Sequence, residues 1–222
     1  MFAPASIVFD LDGTLIDSAA AILASYRAAF AACSVEPVRA IGADIVGPPI
    51  NETLRLLTGS DDPALLERLA AAFRQGYDSE GLLETAAYPG IGEMLPVLRA
   101  AGRTLYIATN KRIHPTRLIV SRLGWDDHFA AVYALDLFTP RLPGKAAMIG
   151  RLLADHGIDA AQAVYVGDRI EDGEASEANG LPFIAATWGY GIPRATEMAA
   201  RWREAATPRA LARMLLERQC AG

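Results

Sequence analysis

The sequence predicts an α/β protein in which a parallel sheet forms the core and a helical segment interrupts it. After residue 91, short apolar runs typical of buried strands alternate with helical patterns of about ten residues. One further strand pattern, residues 6–10, precedes a long stretch with no convincing strand. Because a single strand is not stable, we expect it to join the later strands. We therefore assign residues 1–16 and 85–222 to the core and residues 17–84 to an inserted helical module.

The composition excludes several classes of protein. The chain has 222 residues, of which 52% are hydrophobic and 21% charged, so a substantial core can form. The net charge of −5 gives no reason to expect nucleic acid as a partner. No apolar run approaches the roughly 18 residues of a membrane span, and we find no signal-peptide pattern. The two cysteines have no metal-site spacing. We expect a cytoplasmic protein without nucleic-acid or membrane partners, as a monomer or weak homodimer.

The first predicted strand leads into two acidic residues. Residues 7–9, Ile-Val-Phe, are typical of a buried parallel strand, and Asp10 and Asp12 follow. Because strand side chains alternate between faces, these two carboxylates begin on the same side. Gly13 permits a sharp turn and a close approach of the backbone to a ligand. The pair therefore suits a cation and a phosphate; the alternative is an acidic turn in which Asp12 or Thr14 caps the next helix.

The inserted module is predicted to contain four or so helices. Asp17 and Ser18 are candidate N-caps of the first, while Asp62 and Pro63 are typical of the start of the last. The loop 46–50, Val-Gly-Pro-Pro-Ile, is a stiff corner that either reaches over a substrate or only connects two helices. The apolar spacing predicts these helices over residues 19–33, 37–45 and 52–58, and from residue 63 onwards.

The remaining elements complete a Rossmann-like sheet with right-handed βαβ crossovers. The apolar runs predict strands at residues 104–108, 130–135, 163–166 and 183–186. Between and after them, the patterns predict helices at residues 91–101, 113–123, 145–156, 171–178 and 208–218.

Polar residues follow these strands where ligands bind in open parallel sheets, outside the carboxyl ends. Thr109 and Asn110 follow one strand, Lys145 follows the loop after the next, and Asp168 and Asp172 follow a third. Clustered buried acids need a cation among them, and an all-oxygen ligand set favours Mg2+. The hydroxyl and the ammonium are then left to hold an anion.

These strand-end residues resemble the four motifs of the haloacid dehalogenase superfamily. The inserted helices are similar to the helical cap of that family, and the overall plan is similar to its phosphoglycolate-phosphatase-like branch. The resemblance covers nearly the whole chain. The matching residues are Asp10-Leu-Asp-Gly-Thr-Leu15, Thr109-Asn110, Lys145, and Gly167-Asp168 with Asp172.

The resemblance implies a Mg2+-dependent phosphomonoester hydrolase that acts on a small phosphorylated metabolite. Asp10 would be the nucleophile and would form an aspartyl-phosphate. Asp12 would protonate the leaving alcohol and then accept a proton from the attacking water. Mg2+ would lie between Asp10, the backbone carbonyl of Asp12 and Asp168.

The same resemblance implies a phosphate-binding set. Thr109 and Lys145 would stabilise the phosphoryl oxygens, assisted by amides near Gly13 and Asn110. Asp172 would orient Lys145 or a metal-bound water.

One position departs from the family pattern, and several alternatives stay open. The motif lysine is often followed by proline, whereas Ala146 follows Lys145, so Arg141 and Lys111 are possible substitutes. Dehalogenases lack an acid equivalent to Asp12, which favours phosphate chemistry. A phosphomutase of the β-phosphoglucomutase type and a non-catalytic binding domain are the alternatives. The stretch 188–191, Trp-Gly-Tyr-Gly, either lines the rim of the site or only forms a turn.

Overall fold

The computed structural model describes residues 4–191 and 202–216, and these form parallel strands, a short ribbon and flanking helices. The described strands are β1 (Ser6–Phe9), β2 (Ile16–Asp17), β3 (Ala86–Ala87), β4 (Thr104–Thr109), β5 (Phe129–Ala134), β6 (Ala163–Gly167), β7 (Phe183–Ala186) and β8 (Arg203–Ala205). The described α-helices are α1 (Ala19–Ala32), α2 (Ile50–Thr58), α3 (Pro63–Ser79), α4 (Ile91–Ala100), α5 (Ile113–Arg122), α6 (Lys145–His156), α7 (Ile170–Glu177) and α8 (Pro208–Leu216).

The strand β1 lies inside a six-stranded sheet of order β5-β4-β1-β6-β7-β8, in which every neighbouring pair is parallel. The predicted α/β fold, with residues 6–10 in the same sheet as the later strands, is therefore confirmed. Because β1 pairs with β4 on one side and with β6 on the other, the strand order changes direction here. Such a switch point opens a crevice at the carboxyl ends of the strands.

Both faces of the sheet are covered, which explains the continuous apolar runs of its strands. Ile7 and Phe9 pack on the side of α4, α5 and α8, whereas Val8 packs on the side of α6 and α7. All three side chains are fully buried. The position of β1 is thus fixed from both sides, and with it the position of the acids that follow.

The inserted module is built on α1 and α3, which pack against each other through aromatic side chains. The ring centroids of Tyr26 and Phe73 are 4.4 Å apart, and those of Phe73 and Tyr77 are 5.5 Å apart. The predicted start of α3 is confirmed, because the Asp62 carboxylate accepts a hydrogen bond from the amide of Ala64 at 3.0 Å.

The predicted helix over residues 37–45 is wrong, since this segment contains only one 3-10 turn, Ala43–Ile45. Pro37 and Gly42 leave too few residues between them for an α-helix. The side chain of Val38 is 67% exposed, and its amide donates to the carbonyl of Leu57 at 2.8 Å. The segment is therefore a connector held along α2.

The sequence pattern did not predict two short elements, a two-stranded ribbon and an edge strand. The strands β2 and β3 form an antiparallel ribbon, in which Ile16 pairs with Ala87 and Asp17 with Ala86, where the chain leaves and re-enters the core. The short strand β8 adds to β7 at the sheet edge.

Helix α8 begins as predicted, but positions 217 and 218 of its predicted end lie outside the described residues. Among the described helices, none has the length and apolar character needed to cross a membrane.

Candidate active site

Four polar side chains lie at or reach the carboxyl ends of β1, β4 and β6. Asp10 and Asp168 directly follow β1 and β6, and Thr109 is the last residue of β4. Lys145, the first residue of α6, places its Nζ 3.2 Å from Asp10 Oδ1. The three strand-end side chains are buried, and only 9% of the lysine side chain is exposed. The structure therefore brings together the residues that the strand ends predicted.

Asp10 and Lys145 are buried together, and each changes the protonation of the other. Burial raises the pKa of Asp10 to about 7; the Lys145 ammonium opposes this rise, whereas Asp172 and Asp168 add to it. Burial alone would lower the pKa of Lys145, but Asp10 and Asp172 raise it well above its usual range. The lysine is therefore charged at neutral pH, and one further positive charge beside Asp10 would favour its carboxylate form.

Three carboxylates offer a place for that charge. Oxygens of Asp10, Asp168 and Asp172 lie within 4.8 Å of one another, and all three residues are buried. Asp10 Oδ1 and Asp168 Oδ1 have no partner in hydrogen-bond geometry among the described residues. The oxygens of Asp172 are engaged by the Lys145 ammonium and, at 3.1 Å, by the backbone amide of Arg169. Asp10 and Asp168 therefore fit a hard divalent cation such as Mg2+, while Asp172 fits the predicted role of orienting Lys145.

The stretch 188–191 holds Asp168 in place. The amides of Tyr190 and Gly191 donate to Asp168 Oδ2 at 2.8 and 3.1 Å, which leaves Oδ1 free. The indole of Trp188 donates to the carbonyl of Thr14 at 3.0 Å, so the stretch also braces the turn after β1. It is therefore more than a turn, because it binds one oxygen of a buried acid and leaves the other free.

Tyr190 also reaches the start of the inserted module. Its hydroxyl accepts hydrogen bonds from the amides of Ser18 and Ala19 at 2.6 and 3.0 Å. The same hydroxyl donates to Asp17 Oδ1 at 2.8 Å. Ser18 occupies the N-cap position of α1 without a capping side-chain hydrogen bond, since its hydroxyl donates to Asp12 instead. Of the two predicted caps, Asp17 accepts the amide of Ala19 at 3.4 Å, whereas Ser18 accepts none. Tyr190, 172 positions from Ser18 in the sequence, satisfies the same helix end through its hydroxyl.

Asp12 faces a different part of the site from Asp10. The ammonium of Lys111 lies 3.0 and 3.2 Å from its two carboxylate oxygens. Asp10 lines a cavity of about 470 Å³, whereas Asp12 lines a smaller one of about 60 Å³ between the core and the inserted helices. The two acids therefore line different cavities, although their positions in the strand pattern place them on one side.

Thr109 and Asn110 have different surroundings. Thr109 is 1% exposed, and its Oγ1 accepts a hydrogen bond from the amide of Lys111 at 3.2 Å. Asn110 Nδ2 donates to the carbonyl of Gly47 at 3.2 Å, so this side chain holds the loop 46–50. That loop lines the same cavity as Asp10, as expected if it reaches over a substrate. Phosphate binding by the amides near Gly13 and Asn110 stays a prediction.

The proposed substitutes for Lys145 lie elsewhere. Lys111 pairs with Asp12, and Arg141 is an exposed residue lining a separate cavity. Sequence reasoning did not anticipate the roles of Lys111 and Tyr190. Lys111 follows the predicted Thr109-Asn110 motif directly, which was the available signal.

The backbone at Gly13 leaves no room for a side chain. Its φ is +81°, and a Cβ at this position would overlap Asp168 Oδ2. We expect Gly13→Ala to lower the free energy of unfolding by more than the roughly 1–2 kcal/mol of left-handed strain and to displace Asp168. Gly102→Ala is the control, because its φ is +78° and a Cβ there would meet nothing within 4 Å. Urea unfolding of both variants measures the difference; equal losses would show that the overlap with Asp168 is relieved without cost.

The fold and the site together define a parallel α/β enzyme with acids and a lysine at a topological switch point. The family model of haloacid dehalogenase-like hydrolases matches residues 7–186, and the chain belongs to this family. The family predicted from the four motifs is therefore confirmed.

The relatives that the chain resembles carry phosphatase and kinase names. The chain is 35% identical over 193 residues to a phosphoglycolate phosphatase of Xanthomonas campestris, covering 85% of this chain and 86% of that one. It is 34% identical over 189 residues to the tyrosine-protein kinase PtkA of Mycobacterium tuberculosis, covering 85% of this chain but spanning only 64% of PtkA. A predicted phosphatase from Clostridium acetobutylicum superposes with a TM-score of 0.85 at 25% identity, covering 96% of this chain and 98% of that one.

Proposed function

We propose that the chain is a Mg2+-dependent phosphomonoester hydrolase acting on a small phosphorylated metabolite through an aspartyl-phosphate. The observation that carries this proposal is the position of Asp10. Its carboxylate is buried with Oδ1 3.2 Å from the Lys145 ammonium, and this ion-paired oxygen has no partner in hydrogen-bond geometry among the described residues. It also lines a cavity of about 470 Å³, large enough to admit a phosphate group. Phosphatase names among the relatives support the same activity.

In the first step, a carboxylate oxygen of Asp10 attacks phosphorus, and the bond from phosphorus to the ester oxygen breaks. Asp12 supplies a proton to the departing alkoxide, so an alcohol leaves. In the second step, a water oxygen attacks the phosphorus of the aspartyl-phosphate and gives a proton to Asp12. The bond between Asp10 and phosphorus breaks, which releases phosphate and restores both acids. Dividing the displacement in this way replaces one difficult step by two easier ones.

The surrounding cations offset the repulsion between an anionic nucleophile and an anionic phosphate. Lys145 lies beside Asp10 and would neutralise phosphoryl charge, while the Thr109 hydroxyl at the end of β4 would donate to a phosphoryl oxygen. Mg2+ would be held by Asp10 and Asp168, with the carbonyl of Asp12 as the further predicted ligand. When bound, it would supply positive charge to the phosphoryl group and favour the ionised form of Asp10.

The expected substrate is a small phosphorylated metabolite. Phosphoglycolate is our first candidate, because a relative with 35% identity is a phosphoglycolate phosphatase. The expected monomer or weak homodimer and the cytoplasmic location stay predictions. Two other fates of the phosphoryl group need to be distinguished from hydrolysis. These are transfer to a sugar phosphate, as in a mutase, and transfer to a protein, as the name of the relative PtkA suggests.

Phosphate release from a panel of metabolites, with p-nitrophenyl phosphate as a general substrate, tests the proposal. We expect release that requires Mg2+ and stops when EDTA is added. Tight binding of beryllium fluoride in the presence of Mg2+ would mark an aspartyl-phosphate mimic at Asp10. Activity that depends on an added sugar bisphosphate would indicate a mutase instead. Failure of both phosphate release and beryllium fluoride binding would favour a non-catalytic domain.

A further inference from the structure

Lys111 is a buried cation that the reaction described above does not use. Its ammonium lies 3.0 and 3.2 Å from the two oxygens of Asp12, so it contacts the whole carboxylate. Only 6% of the lysine side chain and 9% of the aspartate side chain are exposed. An ion pair this well shielded is weakly screened by water, and removing one partner leaves the other charge without compensation. The position of Asp12 therefore depends on the charge of Lys111.

The other side of Lys111 is covered by the inserted helical module. Its Nζ lies 4.5 Å from the ring centroid of Tyr77, a residue of α3 that is 1% exposed. An ammonium over an aromatic face is attracted by the ring electrons, and the attraction is stronger when water is excluded. Burial alone would lower the pKa of Lys111, but Asp12 and Tyr77 raise it above its usual range. The lysine is thus charged and held between the core and the module.

Lys111 is placed to act on Asp12 and not on the phosphoryl group. The cavity that Asp10 and Lys145 line does not include Lys111. Lys111, Asp12 and Tyr77 instead line the smaller cavity between the core and the inserted helices. If Asp10 receives the phosphoryl group, the leaving alcohol departs on the side of Asp12. The ion-paired carboxylate takes up one proton from water before this step, gives it to the alcohol, and regains it from the water that attacks the aspartyl-phosphate. The orientation of the Asp12 carboxylate then decides whether that proton is delivered.

We propose that Lys111 is a positioning residue, which holds the Asp12 carboxylate in the orientation needed for proton transfer to the leaving alcohol. Tyr77 in turn holds Lys111, so that α3 of the inserted module sets the general acid in place from the other side of the cavity. The proposal rests on the proposed function, since it assigns Asp12 the same general-acid step. It adds a dependence of that step on a lysine and a tyrosine outside the four motifs.

The dependence can be measured by comparing two leaving groups. A p-nitrophenolate leaves readily without a proton, whereas an alkyl alcohol needs one, and kcat/KM reports all steps up to the departure of the leaving group. We expect Lys111→Met to lower kcat/KM about 100-fold for an alkyl phosphate but less than about 5-fold for p-nitrophenyl phosphate. Lys111→Arg keeps the positive charge, so its kcat/KM for the alkyl phosphate should be at least about tenfold higher than that of Lys111→Met. If the role of Lys111 were merely structural, the substitution would lower kcat/KM by the same factor for both substrates.

The contribution of the inserted module has its own matched pair of variants. Tyr77→Leu removes the ring and should show the same dependence on the leaving group, whereas Tyr77→Phe keeps the ring and should retain most of the activity. Asp78→Asn is the control, because Asp78 is the next residue of α3 and pairs with Arg112 of the core, at 2.9 Å between its Oδ2 and Nη1. That variant weakens a neighbouring contact between core and module without touching Lys111. Asp78→Asn should change kcat/KM by the same factor for both substrates.

A measurement of stability completes the test without requiring turnover. Urea unfolding of Lys111→Met, Asp12→Asn and the double variant measures the free energy of unfolding of each. We expect the double variant to lose less of this free energy than the two single variants lose together, because the second change removes a charge that is already unpaired. Additive losses, or equal losses of kcat/KM on both substrates, would overturn the proposal. Wild-type protein that releases no phosphate from either ester would overturn the proposed function instead, while the unfolding cycle would still test the Lys111–Asp12 coupling.

Discussion

Asp10→Asn is expected to reduce phosphate release by at least about 10⁴-fold, the largest effect of any single substitution in the chain. The amide is a poor nucleophile, so no aspartyl-phosphate forms, and neither Lys145 nor Asp12 can replace that bond. Phosphate release and beryllium fluoride binding measure the loss. Asp136→Asn is the matched control, because Asp136 is an exposed acid just beyond β5 whose carboxylate accepts the amide of Ile113 at 2.9 Å. It should retain wild-type turnover.

The same variant should be more stable than the wild type in the absence of metal. Burial raises the pKa of Asp10 from 3.8 to about 7, so the folded state binds its proton more tightly than the unfolded state. The resulting stabilisation is complete below pH 3.8 and is lost as the pH rises towards 7. At pH 8 the wild type bears the full cost of a buried carboxylate, which asparagine removes. Urea unfolding in EDTA at pH 5 and pH 8 should therefore show a stabilisation that grows with pH. An inactive variant that is also less stable at pH 8 would point to misfolding.

Asp168→Asn is expected to abolish the response to Mg2+. Asp168 is 0% exposed, and its Oδ1 is one of the two carboxylate oxygens left for a cation. Asparagine can still accept the amides of Tyr190 and Gly191, so the loop should stay in place while one negative charge is lost. We expect a fall of about 10³-fold in turnover and no detectable heat of Mg2+ binding by calorimetry, whereas the wild type should bind.

Glu171→Gln is the control for Asp168→Asn. Glu171 lies on α7 and lines the same cavity as Asp10, but it is exposed and is not among the three clustered acids. It should bind Mg2+ like the wild type. Retained Mg2+ binding by Asp168→Asn would exclude this residue as a ligand, and would leave Asp10 with Asp172 as the remaining acids of the cluster.

The sequence alone predicted the core of the site because strand ends can be located from periodicity. Once Asp10, Thr109 and Asp168 were placed after three parallel strands, the common edge of the sheet brought them together. Lys145 could be placed in the same way, since it opens the helix after the next strand. This reasoning needs only the positions of the strands and not the conformations of side chains.

The parts that were missed depend on contacts between distant residues. The ribbon of β2 and β3 is two residues long on each side, too short to show any periodicity. Tyr190 caps a helix 171 positions away, and no local pattern carries that information. The predicted helix over 37–45 was wrong because Pro37 and Gly42, both inside this segment, leave too few residues between them for an α-helix. Lys111 was visible as a motif neighbour, but its partner Asp12 was not predictable from spacing.

The ribbon of β2 and β3 has a consequence for how such proteins diversify. Ile16 and Ala87 are paired neighbours, so the roughly seventy residues between them begin and end at almost the same point. Any segment whose two ends lie a strand spacing apart can take their place without moving β1. The residues proposed to cleave the ester belong to the core, whereas much of the wall around the proposed position of the leaving alcohol belongs to the exchangeable segment. Natural selection can therefore change the compound that is recognised while keeping the reaction, and Tyr77 marks where a new segment would have to restore a lost contact.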